Sequence, residues 1–245
     1  MTRILLAGES WISQSTHYKG FDSFSSVVFE RGADAFIAAA AREGVQVEQL
    51  YAHDVPERFP STLEELSGYD AVILSDIGAN SFLLPPVTWV GGRSAPNRLQ
   101  LLTEYVRRGG GLMMAGGYLS FQGFQARANF ARTPIVDVLP VTLLDCDDRV
   151  EAPQGARPKA TGPLGEVLDD TAPDLLGYNR VLAKPEALVH ATIDADVLIA
   201  SLEVGQGRSL VWTSDIGPHW CPAPFLEWHG FGPLVGGMLR WLANA

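Results

Sequence analysis

Short, unbroken apolar runs recur through the first half of the chain, each ended by a turn signal. Residues 3–8, Arg3-Ile4-Leu5-Leu6-Ala7-Gly8, form the first. Apolarity without alternation predicts a central parallel strand covered on both faces. Phe29, Ala33, Phe36, Ile37 and Ala40 then recur at helical spacing, and Gly44 stops that helix. Val45, Val47 and Leu50 alternate as a second strand. Ser61 and Glu64 read as a capping box ahead of Leu63 and Leu66, followed by the run Ala71-Val72-Ile73-Leu74. Asn97 is placed to cap a helix carrying Leu99, Leu102 and Val106, which ends in Gly109-Gly110-Gly111. The next strand is Leu112-Met113-Met114-Ala115. Strand alternating with helix in this order predicts a parallel sheet with right-handed crossovers.

The pattern changes after residue 140. Pro- and Asp-rich turns separate short apolar stretches such as Val141–Leu144 and Ala187–Ile193. Val197–Val204 and Ser209–Thr213 flank Gly205-Gln206-Gly207, a hairpin signal. Phe231, Leu234, Val235, Met238, Leu239 and Leu242 share one helical face that should dock on the sheet. No low-complexity linker divides the halves. Residues 1–245 are therefore expected to form one α/β domain, a mostly parallel sheet with helices on both faces and antiparallel strands added late.

The sequence has 245 residues, with Lys+Arg 18 against Asp+Glu 28, a net charge of −10. This balance argues against nucleic acid and anionic membrane surfaces as partners. No apolar run approaches the ~20 residues of a bilayer span, and the N-terminal apolar run is too short for a signal peptide. Cys146 and Cys221 are the only cysteines; they make no disulfide framework and no zinc pattern. The expected location is cytoplasmic. The many Trp and Phe residues point toward a homo-oligomer of unspecified size.

In an open parallel sheet, ligands bind beyond the carboxyl ends of the strands. That rule selects Glu9-Ser10-Trp11, Ser75-Asp76-Ile77-Gly78-Ala79-Asn80, Gly116-Gly117-Tyr118 and Ser214-Asp215-Ile216-Gly217-Pro218-His219-Trp220. Ser-Asp-Ile-Gly occurs twice, at 75–78 and 214–217, each time leaving an apolar strand. Each Asp can simply cap the amides of its own turn, with each Gly at positive φ. Asp215, four residues before His219, can instead orient an imidazole for acid/base work. Glu9, charged at the end of a buried strand, is expected to carry a raised pKa, or else to pair with Arg127 or Arg180. The catalytic candidates are thus His219, Asp215 and Glu9. The substrate-binding candidates are Ser10, Trp11, His17, Asp76, Asn80, Gly117, Tyr118 and Tyr178. His17 lies in a polar stretch, 10–26, long enough to be either a lid over the site or a solvated loop. His17, Asp22, Asp215 and His219 show no metal-ligand spacing, so neither a metal nor a cofactor is expected.

Several segments resemble the class I glutamine amidotransferase-like superfamily, and within it a glutamine amidotransferase-like branch related to the ThuA-like proteins. They are Leu6–Trp11, Lys19–Asp22, Pro56–Pro60, Ser75–Asn80, Gly109–Gly111, Gly177-Tyr178-Asn179-Arg180 and Ser214–Trp220. The resemblance implies a flavodoxin-like core with a modified C-terminal part. It also implies a nucleophilic Cys on a strand-to-helix elbow, with a His and, two residues beyond, a Glu near the C-terminus. Here Gly117 falls where that Cys should be, His219 falls near the His, and Cys221 stands where the Glu would be. A glycine forms no thioester. The expected function is therefore action on, or binding of, a small polar metabolite rather than glutaminase activity. ThuA-like relatives suggest a carbohydrate-linked one. As an enzyme, the chain would be a hydrolase- or lyase-type acid/base catalyst. The alternative is a non-catalytic ligand-binding or assembly protein on the same fold.

Overall fold

The computed structural model describes residues 2–244. The first half runs β1 Arg3–Gly8, β2 Ser10–Lys19, β3 Asp22–Arg31, α1 Asp34–Arg42, β4 Gln46–Leu50, β5 Ala71–Ser75, α2 Arg98–Arg107 and β6 Gly111–Ala115. The second half adds β7 Val141–Thr142, β8 Arg149–Ala156, β9 Pro158–Ala160, β10 Leu175–Asn179 and β11 Leu182–Ala183. It closes with β12 Leu188–Ile193, β13 Asp196–Val204, β14 Gly207–Trp212 and α3 Phe231–Leu242.

Eight strands form the main sheet in the order β4-β1-β5-β6-β14-β13-β12-β9. Pairings from β4 to β14 are parallel, and β13, β12 and β9 extend the sheet antiparallel. Both faces are covered, which explains the unbroken apolar runs. Along β1, Ile4 and Leu6 enter the core shared with α1 and α3, while Leu5 and Ala7 enter the core shared with α2. This is the flavodoxin-like α/β arrangement with its late antiparallel addition. Asn97 caps α2 as its sequence position suggests: its Oδ1 accepts from the amides of Leu99 and Gln100, each at 3.1 Å.

Three local expectations shift. The capping box is one residue later, with Thr62 and Glu65 exchanging hydrogen bonds at 3.2 Å. Phe29 belongs to β3 rather than to the following helix, which begins at Asp34. Residues 10–26 are not a loop: β2 and β3 pair antiparallel from Ser10↔Arg31 to Lys19↔Asp22 as a separate two-stranded arm.

Candidate functional site

Register brings the strand exits together. Gly8 pairs with Ser75, Ser75 with Ala115, and Ala115 with Trp212, so β1, β5, β6 and β14 end side by side. The residues that follow are Glu9, Asp76, Gly116-Gly117 and, after Thr213-Ser214, Asp215. The chain turns sharply at each exit. Glu9 (φ 47°), Asp76 (φ 43°) and His219 (φ 112°) all have positive φ, an uncommon backbone for residues with side chains that concentrates at functional sites. Neither Ser-Asp-Ile-Gly copy has its Gly at positive φ, although Asp215 Oδ2 does accept from the following Trp220 amide at 3.4 Å. The positive φ falls on Asp76 itself, not on Gly78. Gly217 instead permits close approach, since a Cβ there would meet Gly32 O at 2.5 Å and Glu9 Oε1 at 2.8 Å.

Glu9, Trp11, Asp76, Tyr118, Asp215, Pro218 and His219 line one cavity of about 260 Å³. Glu9, Asp76 and Asp215 present three carboxyl groups, and no Lys or Arg lines the space. Burial pushes Glu9 well above the usual carboxylate range, and the Asp215 and Asp76 charges add to it. Its Oε2 accepts a hydrogen bond from Ser75 Oγ at 2.6 Å, which offsets part of that shift. Neither Arg127 nor Arg180 pairs with Glu9; Arg180 is engaged by Asp196 at 2.9 Å. Burial likewise raises Asp76, and raises Asp215 to about 6 against the pull of His219. His219 Nδ1 lies 3.6 Å from Asp215 Oδ2. That carboxylate is the first cause holding the half-exposed imidazole above its ordinary value. A larger hollow, about 530 Å³, lies by Asp70 and Gly110 at the opposite, amino ends of β5 and β6, without such a cluster.

At the β6 exit, Gly117 (φ 139°) is wedged between carboxylates: a Cβ there would come within 2.8 Å of both Asp76 Oδ1 and Asp215 Oδ1. The turn is pinned from both sides. Gly117 N–H donates to Asn179 Oδ1 at 2.9 Å, and Asn179 Nδ2 donates to Asp148 Oδ1 at 2.8 Å. Asp148 also receives the amides of Gln122 and Gly123. The amide of Leu119 donates to Asp76 Oδ1 at 2.7 Å, so a carboxylate occupies the mouth of the turn. At the rim, Glu151 accepts from Tyr118 OH at 2.7 Å and from Trp220 Nε1 at 3.0 Å. The Tyr118 ring meets His219 edge-on at 4.9 Å.

Residues 3–244 match the model of a family described as "Putative glutamine amidotransferase". The chain belongs to this glutamine amidotransferase-like family. A solved cytoplasmic protein of Salmonella typhimurium is 40% identical with a TM-score of 0.93, covering 98% of each chain. A second, from strain LT2, is 41% identical with a TM-score of 0.92, covering 98% of this chain and 99% of its own. A "Putative thua-like protein" from Bacteroides uniformis is 10% identical with a TM-score of 0.55, covering 98% and 91%, and shares the fold. No curated protein matches.

Within this glutamine amidotransferase-like chain, the sequence candidates divide. Glu9, Trp11, Asp76, Tyr118, Asp215 and His219 line the cavity, and Gly117 packs directly behind it. Four candidates do not reach it. Ser10 is buried and its Oγ accepts from Ala52 N–H at 2.9 Å, fastening β2 to the end of β4. His17 lies out on the arm, stacked on Phe24 at 4.7 Å. Asn80 begins a four-residue helical turn and is exposed. The Tyr178 hydroxyl donates to Asp196 Oδ2 at 2.8 Å, outside the cavity lining. Conversely, Ser75, Asp148, Glu151 and Asn179 serve the site without being among the candidate site residues. Ser75 and Asn179 lie within the Ser75–Asn80 and Gly177–Arg180 segments, whereas Asp148 and Glu151 carry no local signal. Cys221 is fully buried, and burial with the Asp215 and Glu9 charges pushes its thiol well above the ordinary value. Cys146 is exposed on a different segment. Among the described residues, no group of three or more His, Cys, Asp or Glu is disposed to hold a metal ion.

Proposed function

We propose that the chain is an acid/base catalyst of hydrolase or lyase type acting on a small polar metabolite, and not a cysteine-dependent glutaminase. The observation that carries this is the convergence of Glu9, Asp76, Asp215 and His219 on one cavity behind which Gly117 leaves no space for a side chain. A thiol nucleophile needs exposure and a stabilised thiolate; neither holds for Cys221. His219 has the attributes of the proton carrier. Its accessible ring delivers a proton to a leaving oxygen, and the Asp215 carboxylate stabilises the imidazolium without taking that proton. Glu9, raised by burial, is a second titrating group beside it. Trp11 and Tyr118 offer ring faces and Asp76 offers acceptor oxygens, a combination suited to an uncharged, hydroxyl-rich ligand such as a sugar derivative; an anionic ligand would be repelled. The description of both Salmonella relatives as cytoplasmic proteins supports a cytoplasmic location for this one.

The test is turnover of a panel of sugar derivatives by the parent and by His219→Ala. The loss expected is about 10²–10⁴-fold, the usual worth of a positioned acid or base, with the melting temperature nearly unchanged because the ring is half exposed. Equal activity in the two would overturn the assignment, and adduct formation by a glutamine-analogue electrophile would revive the thiol route. A second reading, a non-catalytic binding protein, is favoured by the Asp76 carboxylate that already occupies the Leu119 amide. It predicts a ligand that stabilises the fold by about 2.7 kcal/mol at 100-fold excess over Kd and is recovered intact.

A further inference from the structure

Among the described residues, the β2–β3 arm pairs with no other strand. At ~3.3 Å per residue its paired ten-residue strands reach roughly 33 Å, and nearly every position from 11 to 30 is exposed or half-exposed. Its root is anchored, with Phe29 meeting Tyr51 edge-on at 5.1 Å and His53 at 5.3 Å. Further out, cross-strand contacts join it only to itself, such as Thr16 Oγ1 to Ser25 Oγ at 3.2 Å and His17 stacked on Phe24. A lone two-stranded hairpin is marginal in water. This one nevertheless exposes Ile12, Tyr18, Phe21, Phe24, Val27 and Val28. Cross-strand register puts Ile12 and Val27 on one face and Phe24 and Val28 on the other, so neither face is the solvent side. Segment 10–31 contains no proline and a single lysine, the devices that normally blunt free strand edges.

We propose that this arm is the self-association element of the protein, packing against the same arm of a second copy. Two observations select a second copy. Lys19 and Arg31 balance Asp22 and Glu30, so the arm is neutral in a chain of net charge −10. Two acidic bodies repel one another, and the projecting neutral arm is where they can meet without that repulsion. The exposed apolar side chains together offer roughly 1,000 Å², on the scale of the ~800 Å² per partner of a standard interface. A two-fold arrangement sets one face or one free edge of the arm against the same element of its copy, and such an isologous contact closes on itself.

The test is the solution mass of the full-length protein by light scattering and sedimentation, for the parent and for Phe24→Asp/Val27→Asp. These positions lie outside the two cores and outside the cavity. Trp11 is left alone because it also lines the cavity, so failure here is distinguishable from failure of the catalytic reading. The parent is expected to be a dimer or larger at micromolar concentration, as interfaces of this size allow. The double variant should fall to monomer mass with unchanged far-ultraviolet dichroism. Amide hydrogen exchange in 10–31 provides a check on the unmodified chain, with protection that rises with protein concentration. A parent that stays monomeric, or that associates only on addition of vesicles or another protein, overturns the proposal. So does an oligomer that survives in the double variant, which would place the contact on another surface.

Discussion

Gly117 shows why a single residue decides what chemistry the site can hold. Its φ of 139° is accessible to glycine and strained for any other residue, and the Cβ position is closed by Asp76 Oδ1 and Asp215 Oδ1 at 2.8 Å. Gly117→Ala is therefore expected to cost about 2–4 kcal/mol from backbone strain and overpacking together. Urea denaturation measures it, and a variant as stable as the parent would mean that the carboxylates readily move aside. Gly117→Cys should cost at least as much and leave no alkylatable thiol in the cavity. At this scale the sequence was informative about which residues leave the strands and silent about where they point. Glu9, Asp76, Asp215 and His219 were legible because charged groups follow apolar runs abruptly. Ser10 leaves the same strand as Glu9 and yet turns toward Ala52, and Tyr178, a candidate for its ring alone, turns toward Asp196. Nothing local separates the two outcomes, because the difference lies in positive φ at Glu9, Asp76 and His219, which only the assembled turns impose.

Elements buried on both faces announce themselves, and exposed ones do not. The strands around Ile4–Ala7, Ala71–Leu74 and Leu112–Ala115 read as continuous apolar runs because two cores demand it. The α2 helix was legible down to its cap, where Asn97 satisfies two otherwise unpaired amides. Asn97→Ala should lower stability by about 1 kcal/mol, read as a shift of the denaturant midpoint at constant slope; no shift would mean that packing of Leu99 and Leu102 alone fixes the helix start. The arm reads as a lid or solvated loop in the sequence for the opposite reason. Its serines and apolar residues fall on both faces, so the period-two segregation that marks a half-buried strand is missing. Phe29, four residues before Ala33, was drawn into the helix by spacing alone. An element buried on neither face leaves only a weak pattern in its sequence.

For the molecule as a whole, gathering three carboxyl groups at the carboxyl ends of the central strands ties stability to pH. Asp215 moves from an ordinary 3.8 to about 6 on folding, chiefly through burial, and Glu9 and Asp76 move in the same direction. Raised carboxyl values mean that the native state keeps protons the unfolded chain has released. Stability from these groups is therefore greatest at acid pH and is lost as pH rises, for Asp215 from about 4 through 6. His219, also raised, adds stability below its unfolded value that is lost as pH rises through its native one, so its sign is the same. Asp147 acts oppositely: hydrogen bonding to Arg149 lowers it to about 2, and its contribution disappears as pH falls toward that value. The stability maximum should consequently lie on the acid side of neutrality, with a decline toward pH 8 to which Asp215 contributes at most about 3 kcal/mol. Thermal unfolding across pH 4–8 measures the slope, and Asp215→Asn should flatten it while raising the melting temperature at pH 8. A parent whose stability rises over that interval would mean that the carboxyl groups are hydrated and apart. A buried cluster of carboxyl groups offset only in part by the half-exposed His219 is a standing cost to the fold, and a cavity built from one is suited to moving protons.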